Sequence, residues 1–218
     1  MSKTKNQIIN EVIDATIARL TPADTPENIS EEATQDIEGL IVLENTSRGK
    51  KYGLRVLEVL PNSVIAQFMA AMFPIRCIAC AGLETDPKFD LLCLYQEDGP
   101  DAGTYMESEN ELYKLAIRYN VQLTQNGFKE ICRRLRGIVP RVARTMDPDL
   151  IAVNNGIFNF RTKELLPFSP DYVFLAKSHV NYDPNAVNVT IHNSADDTDW
   201  DVESWVESLS DDPEIVEL

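Results

Sequence analysis

The chain has 218 residues, of which 44% are hydrophobic and 25% are charged, with a formal net charge of −15. This composition suits one larger globular domain or two small ones, and it is apolar enough to build a core. The negative net charge argues against a nucleic-acid-binding surface that covers the whole molecule.

Membrane and secretion features are missing from the sequence. No stretch approaches 18 uncharged apolar residues, and residues 1–7 lack the apolar region of a signal peptide. We therefore predict a protein of the cytoplasm, in whatever cell hosts it, with no membrane partner. In that reducing compartment the four cysteines are not expected to form a disulfide framework.

Metal-binding patterns are weak. Cys77 and Cys80 have C-x-x-C spacing, but no second pair completes the four ligands of a structural zinc site. We predict that these cysteines act as small buried hydrophobic residues and that the chain has no metal site.

Charge is unevenly distributed along the chain. Residues 193–218 hold ten acidic residues and no Lys or Arg, whereas residues 114–163 hold ten basic residues against three acidic ones. The acidic segment is expected to form a C-terminal helix or tail. It could lie over the basic region, bind a partner or keep the chain soluble.

The first predicted element is an amphipathic helix over residues 2–20, whose apolar stripe ends at Thr21 and Pro22. Packing against its own chain and docking to a partner explain this stripe equally well. Residues 23–51 are acidic and poor in aromatics, so we predict a linker there, with a short strand possible over Ile37–Leu43.

The next part of the chain predicts a small sheet. A helix over Val64–Phe73 is stopped by Pro74, and apolar runs follow at 75–81, 91–95 and 104–106. Turn-forming residues separate these runs, which favours antiparallel strands. The predicted fold class is therefore α+β, with a small, mainly antiparallel sheet, a helical middle and an acidic C-terminal helix or tail.

Two helices are predicted in the middle of the chain, starting at Ser108 and Thr124, both good N-cap residues. The second helix has an apolar stripe and a separate basic face, and Pro140 ends it. Because guanidinium and ammonium groups bind phosphates, we predict nucleic-acid contacts from this region. The candidate residues are Lys129, Arg133, Arg134, Arg136, Arg141 and Arg144. A solvated face paired with acids of the same chain is the alternative.

After Asp147 the sequence predicts a hairpin, with strands over 150–153 and 157–160 around an Asn-Gly turn. A further strand is predicted over Tyr172–Ala176.

Five short motifs follow one another along this region. They are Asn155-Gly156, Arg161-Thr162, Leu166-Pro167, Ser169-Pro170 and Tyr182-Asp183-Pro184. In combination they resemble the region that precedes the ATPase domain in primase-helicases of phages, plasmids and large DNA viruses, the superfamily three helicases. The resemblance covers roughly residues 90–218. Asn159 departs from it, because the family commonly has aspartate there.

Three segments are predicted. Residues 1–52 lie outside the resemblance and form the amphipathic helix and acidic linker. The resemblance implies that residues 53–192 are an α+β domain similar to the family's collar and that residues 193–218 are an acidic segment leading into an ATPase. It also implies a structural role for Asn155, Gly156, Arg161, Thr162, Tyr182, Asp183 and Pro184.

Catalytic patterns are not evident. The sequence around Gly49-Lys50 has Glu44 in place of the first glycine of a phosphate-binding loop and Lys51 in place of its Ser or Thr. His179 and His192 have no nucleophile at a recognisable spacing. We predict no catalytic residue and no cofactor, with ATP and magnesium required only if an ATPase domain follows.

The resulting hypothesis is a non-catalytic N-terminal or collar part of a replicative primase-helicase, which binds DNA or assists subunit assembly. Expected partners are single-stranded or forked DNA, replication proteins, a helicase ATPase domain and, by resemblance, further copies of the chain. The alternative is a stand-alone acidic interaction protein that docks on or regulates a replication helicase. An independent primase or nuclease is disfavoured, because the sequence offers no acidic constellation to bind its metals.

Overall fold

Residues 2–48 and 53–209 are described by the computed structural model, and their contacts divide the chain into two units, Met1–Val180 and Asn181–Leu218. Two features discussed above lie outside the described residues, namely Gly49-Lys50 and the end of the acidic segment from Ser210 to Leu218.

The first unit contains helices α1 to α5 and strands β1 to β7. In chain order they are α1 (Lys5–Arg19), α2 (Pro26–Thr46), α3 (Asn62–Met72), β1 (Ile75–Ala79), β2 (Leu91–Tyr95), β3 (Tyr105–Met106), α4 (Glu109–Tyr119), α5 (Gln125–Ile138), β4 (Arg141–Ala143), β5 (Leu150–Val153), β6 (Gly156–Asn159) and β7 (Glu164–Leu166).

Four strands form a sheet in the order β3-β2-β1-β4, and β5, β6 and β7 form a second sheet in sequence order. β1 pairs with β4 in parallel, and the other neighbouring strands of both sheets pair antiparallel. The prediction of an α+β fold with small, mainly antiparallel sheets is confirmed.

The four-stranded sheet is covered on both faces because its residues alternate between two apolar clusters. Ile75, Cys77 and Leu92 belong to the cluster that includes the buried sides of the helices. Ile78 and Cys93 point into a second cluster with Tyr105 and Val173.

The same alternation explains the C-x-x-C pair. Cys77 lies in the helix-side cluster, whereas Cys80 packs against the cluster on the opposite face. An odd offset on an extended chain points two side chains to opposite sides of a sheet. Within the described residues no group of three or more His, Cys, Asp or Glu side chains is arranged to hold a metal ion.

The predicted linker over residues 23–51 is wrong over α2, and so is the short strand predicted within it. The Thr25 hydroxyl caps α2 by accepting a hydrogen bond from the Asn28 backbone N–H at 3.3 Å, and Pro26 occupies the first turn. Residues four apart on α2 are buried against the rest of the unit, namely Ile29, Ala33, Ile37 and Ile41. This burial outweighs the acidic composition of the segment.

The strand predicted over Tyr172–Ala176 is also wrong, because this segment is irregular. Its backbone bonds to two different elements: the Val173 carbonyl accepts from Thr145 at 3.0 Å, and the Phe174 carbonyl accepts from Tyr105 at 2.7 Å. Strands close to the runs predicted at 75–81, 91–95 and 104–106 are present, as are the two helices that Ser108 and Thr124 cap.

The second unit contains β8 (Ile191–Asn193), β9 (Thr198–Trp200) and α6 (Val202–Glu207). The strands form an antiparallel hairpin that the sequence did not predict, with Asp197 in its turn at a positive φ of 57°. Asp201 caps α6, and the hydrogen bond from the Ser204 backbone, followed by that from Asn188, lowers the pKa of Asp201 to about 2.

Across both stretches that the structure describes, no helix combines the length and apolarity needed to cross a membrane.

Candidate nucleic-acid interface

The basic face lies on α5, whose opposite side is fixed in the core. The Thr124 hydroxyl accepts a hydrogen bond from the Gly127 backbone N–H at 3.1 Å and starts the helix. Phe128, Ile131 and Leu135 are buried at helical spacing. The remaining surface of the helix therefore faces away from the core.

Lys129 and Arg133 lie on this outward surface, one helical turn apart, and both are exposed. Within residues 2–48 and 53–209, neither side chain makes a hydrogen bond or an ion pair. Their charges are therefore available to a ligand without breaking an internal contact.

Arg134 lies on the same helix but has a partner. Its Nε and Nη2 atoms donate to Oε1 of Glu130 at 3.0 and 2.9 Å. Glu130 also accepts a hydrogen bond from Asn62 at 3.0 Å, and this bond, followed by that from Arg134, lowers the pKa of Glu130 below its ordinary value. The Arg134 charge is thus balanced locally.

Arg136 and Arg141 converge on Asp90, whose side chain is 4% exposed. Arg136 donates to the Asp90 carbonyl at 2.8 Å. Arg141 donates to the two carboxylate oxygens at 2.5 and 3.1 Å, and this hydrogen bonding raises the pKa of Arg141. Arg141 also donates to the carbonyls of Leu83 and Thr85, both at 2.7 Å.

These bonds connect the C-terminal part of α5 and the start of β4 to the segment between β1 and β2. The sequence analysis missed Asp90, since a single acid before the apolar run of β2 carries no distinctive pattern. We conclude that Arg136 and Arg141 are held by the fold.

Arg144 follows β4, is exposed, and has no hydrogen-bond or ion-pair partner within the described ranges. The structure thus separates the six predicted residues into two groups. Lys129, Arg133 and Arg144 are unengaged in the sense that, among the described residues, they make no hydrogen bond or ion pair, although the Arg133 charge acts on the nearby Glu130 carboxylate. Arg134, Arg136 and Arg141 are bonded within the chain.

The predicted motif residues Asn155 and Gly156 lie at the β5–β6 turn, where Val153 pairs with Gly156. A Cβ atom on Gly156 would lie 2.6 Å from the backbone oxygen of Leu166 on β7. Glycine is therefore required here by the close approach of the neighbouring strand.

Arg161 and Thr162 lie in the β6–β7 loop, where the Asn159 side-chain oxygen accepts from their backbone N–H groups at 3.0 and 3.1 Å. An asparagine retains the acceptor that an aspartate would supply, so the loop geometry does not require the charge. Arg161 also pairs with Asp149, with 2.7 Å between Nε and Oδ2, and Lys163 takes a positive φ of 59°.

Tyr182, Asp183 and Pro184 open the second unit. The Asp183 side chain accepts a hydrogen bond from the Asn185 backbone N–H at 2.9 Å, and the Asp183 carbonyl accepts one from Ala186 at 3.1 Å. Both bonds run to residues two or three positions further along the chain, so Asp183 stabilises a local turn.

The thiols of Cys77, Cys93 and Cys132 are buried or half-buried. Burial raises the pKa of Cys93 to about 12 and that of Cys132 to about 11, and it also raises the pKa of Cys77. Since the thiolate is the reactive form, these cysteines are chemically quiet near neutral pH.

Fold and surface together define an α+β protein whose second half presents a cationic helix, followed by hairpins held by turn motifs. Residues 107–211 match the family model described as D5 N terminal like, the N-terminal region of primase-helicase proteins. This part of the chain is similar to that family, and the match confirms the resemblance recognised from the motifs. The match begins beside the Ser108 cap and includes α4, α5, the sheet of β5, β6 and β7, and the β8–β9 hairpin. No curated protein matches the chain.

Proposed function

We propose that this chain is the non-catalytic N-terminal or collar part of a phage or plasmid replicative primase-helicase, and that it holds DNA through the exposed face of α5. The observation that carries the proposal is the unengaged pair Lys129 and Arg133, which lies inside the region matched to the primase-helicase family. The protein would act in the cytoplasm of its host cell.

The chemistry of this face suits a phosphate backbone. The two residues are about 6 Å apart along the helix axis, so both cations can contact one strand. Each contact displaces condensed counterions and adds affinity that decreases with salt, and a guanidinium can bind a phosphate with two parallel hydrogen bonds. The contacts carry no sequence information, which fits a replication protein that acts along any template.

The proposal is tested by titrating a fluorescein-labelled single-stranded oligonucleotide at low salt and measuring fluorescence anisotropy. We expect the Lys129→Ala/Arg133→Ala double variant to bind about tenfold more weakly or worse, because two charge-assisted contacts are lost.

Arg134→Ala is the matched control. It removes a positive charge from the same helix, but that charge is already paired with Glu130. It should bind within about twofold of the parent. Parent and double variant with equal affinities, or a parent that does not bind, would refute the proposed function.

A further inference from the structure

A second surface of the first unit differs from that of α5, because it is acidic and partly apolar. Helices α1 and α2 border a groove of about 500 Å³. Its lining includes the apolar or small residues Val12, Ala15, Gly39, Leu40 and Leu43, with Glu11 and Asp36 among its polar residues.

The groove has open apolar space. Leu43 is 66% exposed and the adjacent Val42 is 53% exposed, although α2 buries four other apolar side chains. A Cβ atom added at Gly39 would have no neighbour within 4 Å. Glycine is unfavourable inside a helix, and here it leaves a space that a partner's side chain can fill.

The surroundings of the groove are acidic. Residues 2–48 contain nine acidic and four basic residues, and α2 has six acids and no Lys or Arg. Arg19 is already engaged, because it bridges Glu32 at 3.1 Å and Asp36 at 3.5 Å. Lys3 pairs with Glu11. The two acids of the lining, Glu11 and Asp36, are thus both paired. Asp14 and Glu38, which adjoin the lining in sequence, have no such partner among the described residues, so the surface around the groove keeps a negative charge.

We propose that the α1–α2 groove is a docking site for an amphipathic helix that carries apolar anchor residues flanked by Lys or Arg. An apolar floor with an acidic surround matches such a helix in both shape and charge. The acidic surround also disfavours nucleic acid as the occupant.

A second copy of the chain is a poorer fit. Its most basic amphipathic helix is α5, and the apolar side of α5 is buried in its own core. Among the described residues of α5, Ile138 at its C-terminal end is the one large apolar side chain that is exposed, at 48%. A single terminal anchor is a poor match to the groove, and we assign the groove to a different protein.

The experiment uses a designed, fluorescein-labelled peptide of about 18 residues with a leucine stripe at helical spacing and lysines on either side. Two control peptides separate the contributions. A scrambled peptide keeps the composition but loses the stripe, and a second peptide keeps the stripe but replaces lysine by glutamate.

Two substitutions in the full chain test the location. Gly39→Leu fills the open space, and Leu43→Ser removes an exposed contact with little effect on folding. Gly39→Ala is the matched control, because it leaves most of the groove open and favours the helix.

We expect the parent and Gly39→Ala to bind the basic striped peptide and the Gly39→Leu and Leu43→Ser variants to bind at least about tenfold more weakly. The proposal is overturned if either control peptide binds as well as the striped one, or if Gly39→Leu and Leu43→Ser bind like the parent. Dimerisation of the free chain that Gly39→Leu abolishes would assign the groove to a second copy and also overturn it.

Discussion

Asp90 decides which basic side chains around α5 can reach a ligand. Its carboxylate pairs with Arg141 and its carbonyl accepts from Arg136, so two of the six candidates for phosphate contact are held by the fold. Lys129 and Arg133 have no comparable acceptor in the part of the chain that the structure describes. All four side chains carry a positive charge, but only those of Lys129 and Arg133 can bind a ligand without losing a hydrogen bond within the chain.

Replacement of Arg141 by methionine tests this assignment. The change leaves Asp90 buried without its partner and removes the bonds to two backbone carbonyls, so we expect the melting temperature to fall by about 5 °C or more. Arg134→Met breaks an exposed ion pair and should shift the melting temperature by no more than about 2 °C. Thermal unfolding followed by circular dichroism makes the comparison, and equal shifts in the two variants would show that Arg141 is not structural.

The sequence predicted that α5 has a basic face, but it did not predict which residues the basic side chains contact. Arg141 and Asp90 are far apart in the chain and meet because β4 pairs with β1, a parallel pairing that no local pattern predicted. The pairing of Arg134 with Glu130 is easier to predict from the sequence, since those residues are one helical turn apart.

At the scale of elements, α2 shows how composition can mislead. The segment is acidic and poor in aromatics, yet Thr25 and Pro26 provide a start and Ile29, Ala33, Ile37 and Ile41 provide an apolar stripe. Both features are visible in the sequence. The four-residue spacing of the apolar side chains is therefore a better predictor of this helix than its acidic composition.

The contribution of α2 to stability is measurable with one substitution. Ile37 is fully buried, and we expect Ile37→Ala to lower the free energy of unfolding by about 2–5 kcal/mol, because it removes packed methylenes and leaves a cavity. Val42→Ala, on the exposed side of the same helix, should change it by no more than about 0.5 kcal/mol. Denaturant titration provides both values, and a small effect of Ile37→Ala would mean that α2 is not part of the core.

Other elements were predictable because their ends are chemically marked. Ser108 and Thr124 accept backbone hydrogen bonds at the starts of α4 and α5, as their positions indicated. The segment over residues 172–176 has strand-like composition but bonds to Thr145 and Tyr105, which belong to separate parts of the chain. Such pairing depends on tertiary structure and is not encoded locally.

At the scale of the whole molecule, the net charge of −15 conceals surfaces of opposite sign. The first 48 residues and the described part of the acidic segment carry excess acid, whereas α5 presents unengaged cations. A chain of this kind can contact DNA locally while its overall charge limits binding elsewhere. The α1–α2 groove adds a separate acidic surface suited to a basic partner.

The salt dependence of DNA binding tests the central claim most directly. Affinity for a single-stranded oligonucleotide is measured over a series of salt concentrations for the parent, Lys129→Ala/Arg133→Ala and Arg134→Ala. If α5 neutralises two phosphates through Lys129 and Arg133, the slope of log affinity against log salt falls by about 1.4 in the double variant and stays unchanged in Arg134→Ala. Equal slopes for the parent and the double variant would contradict the account.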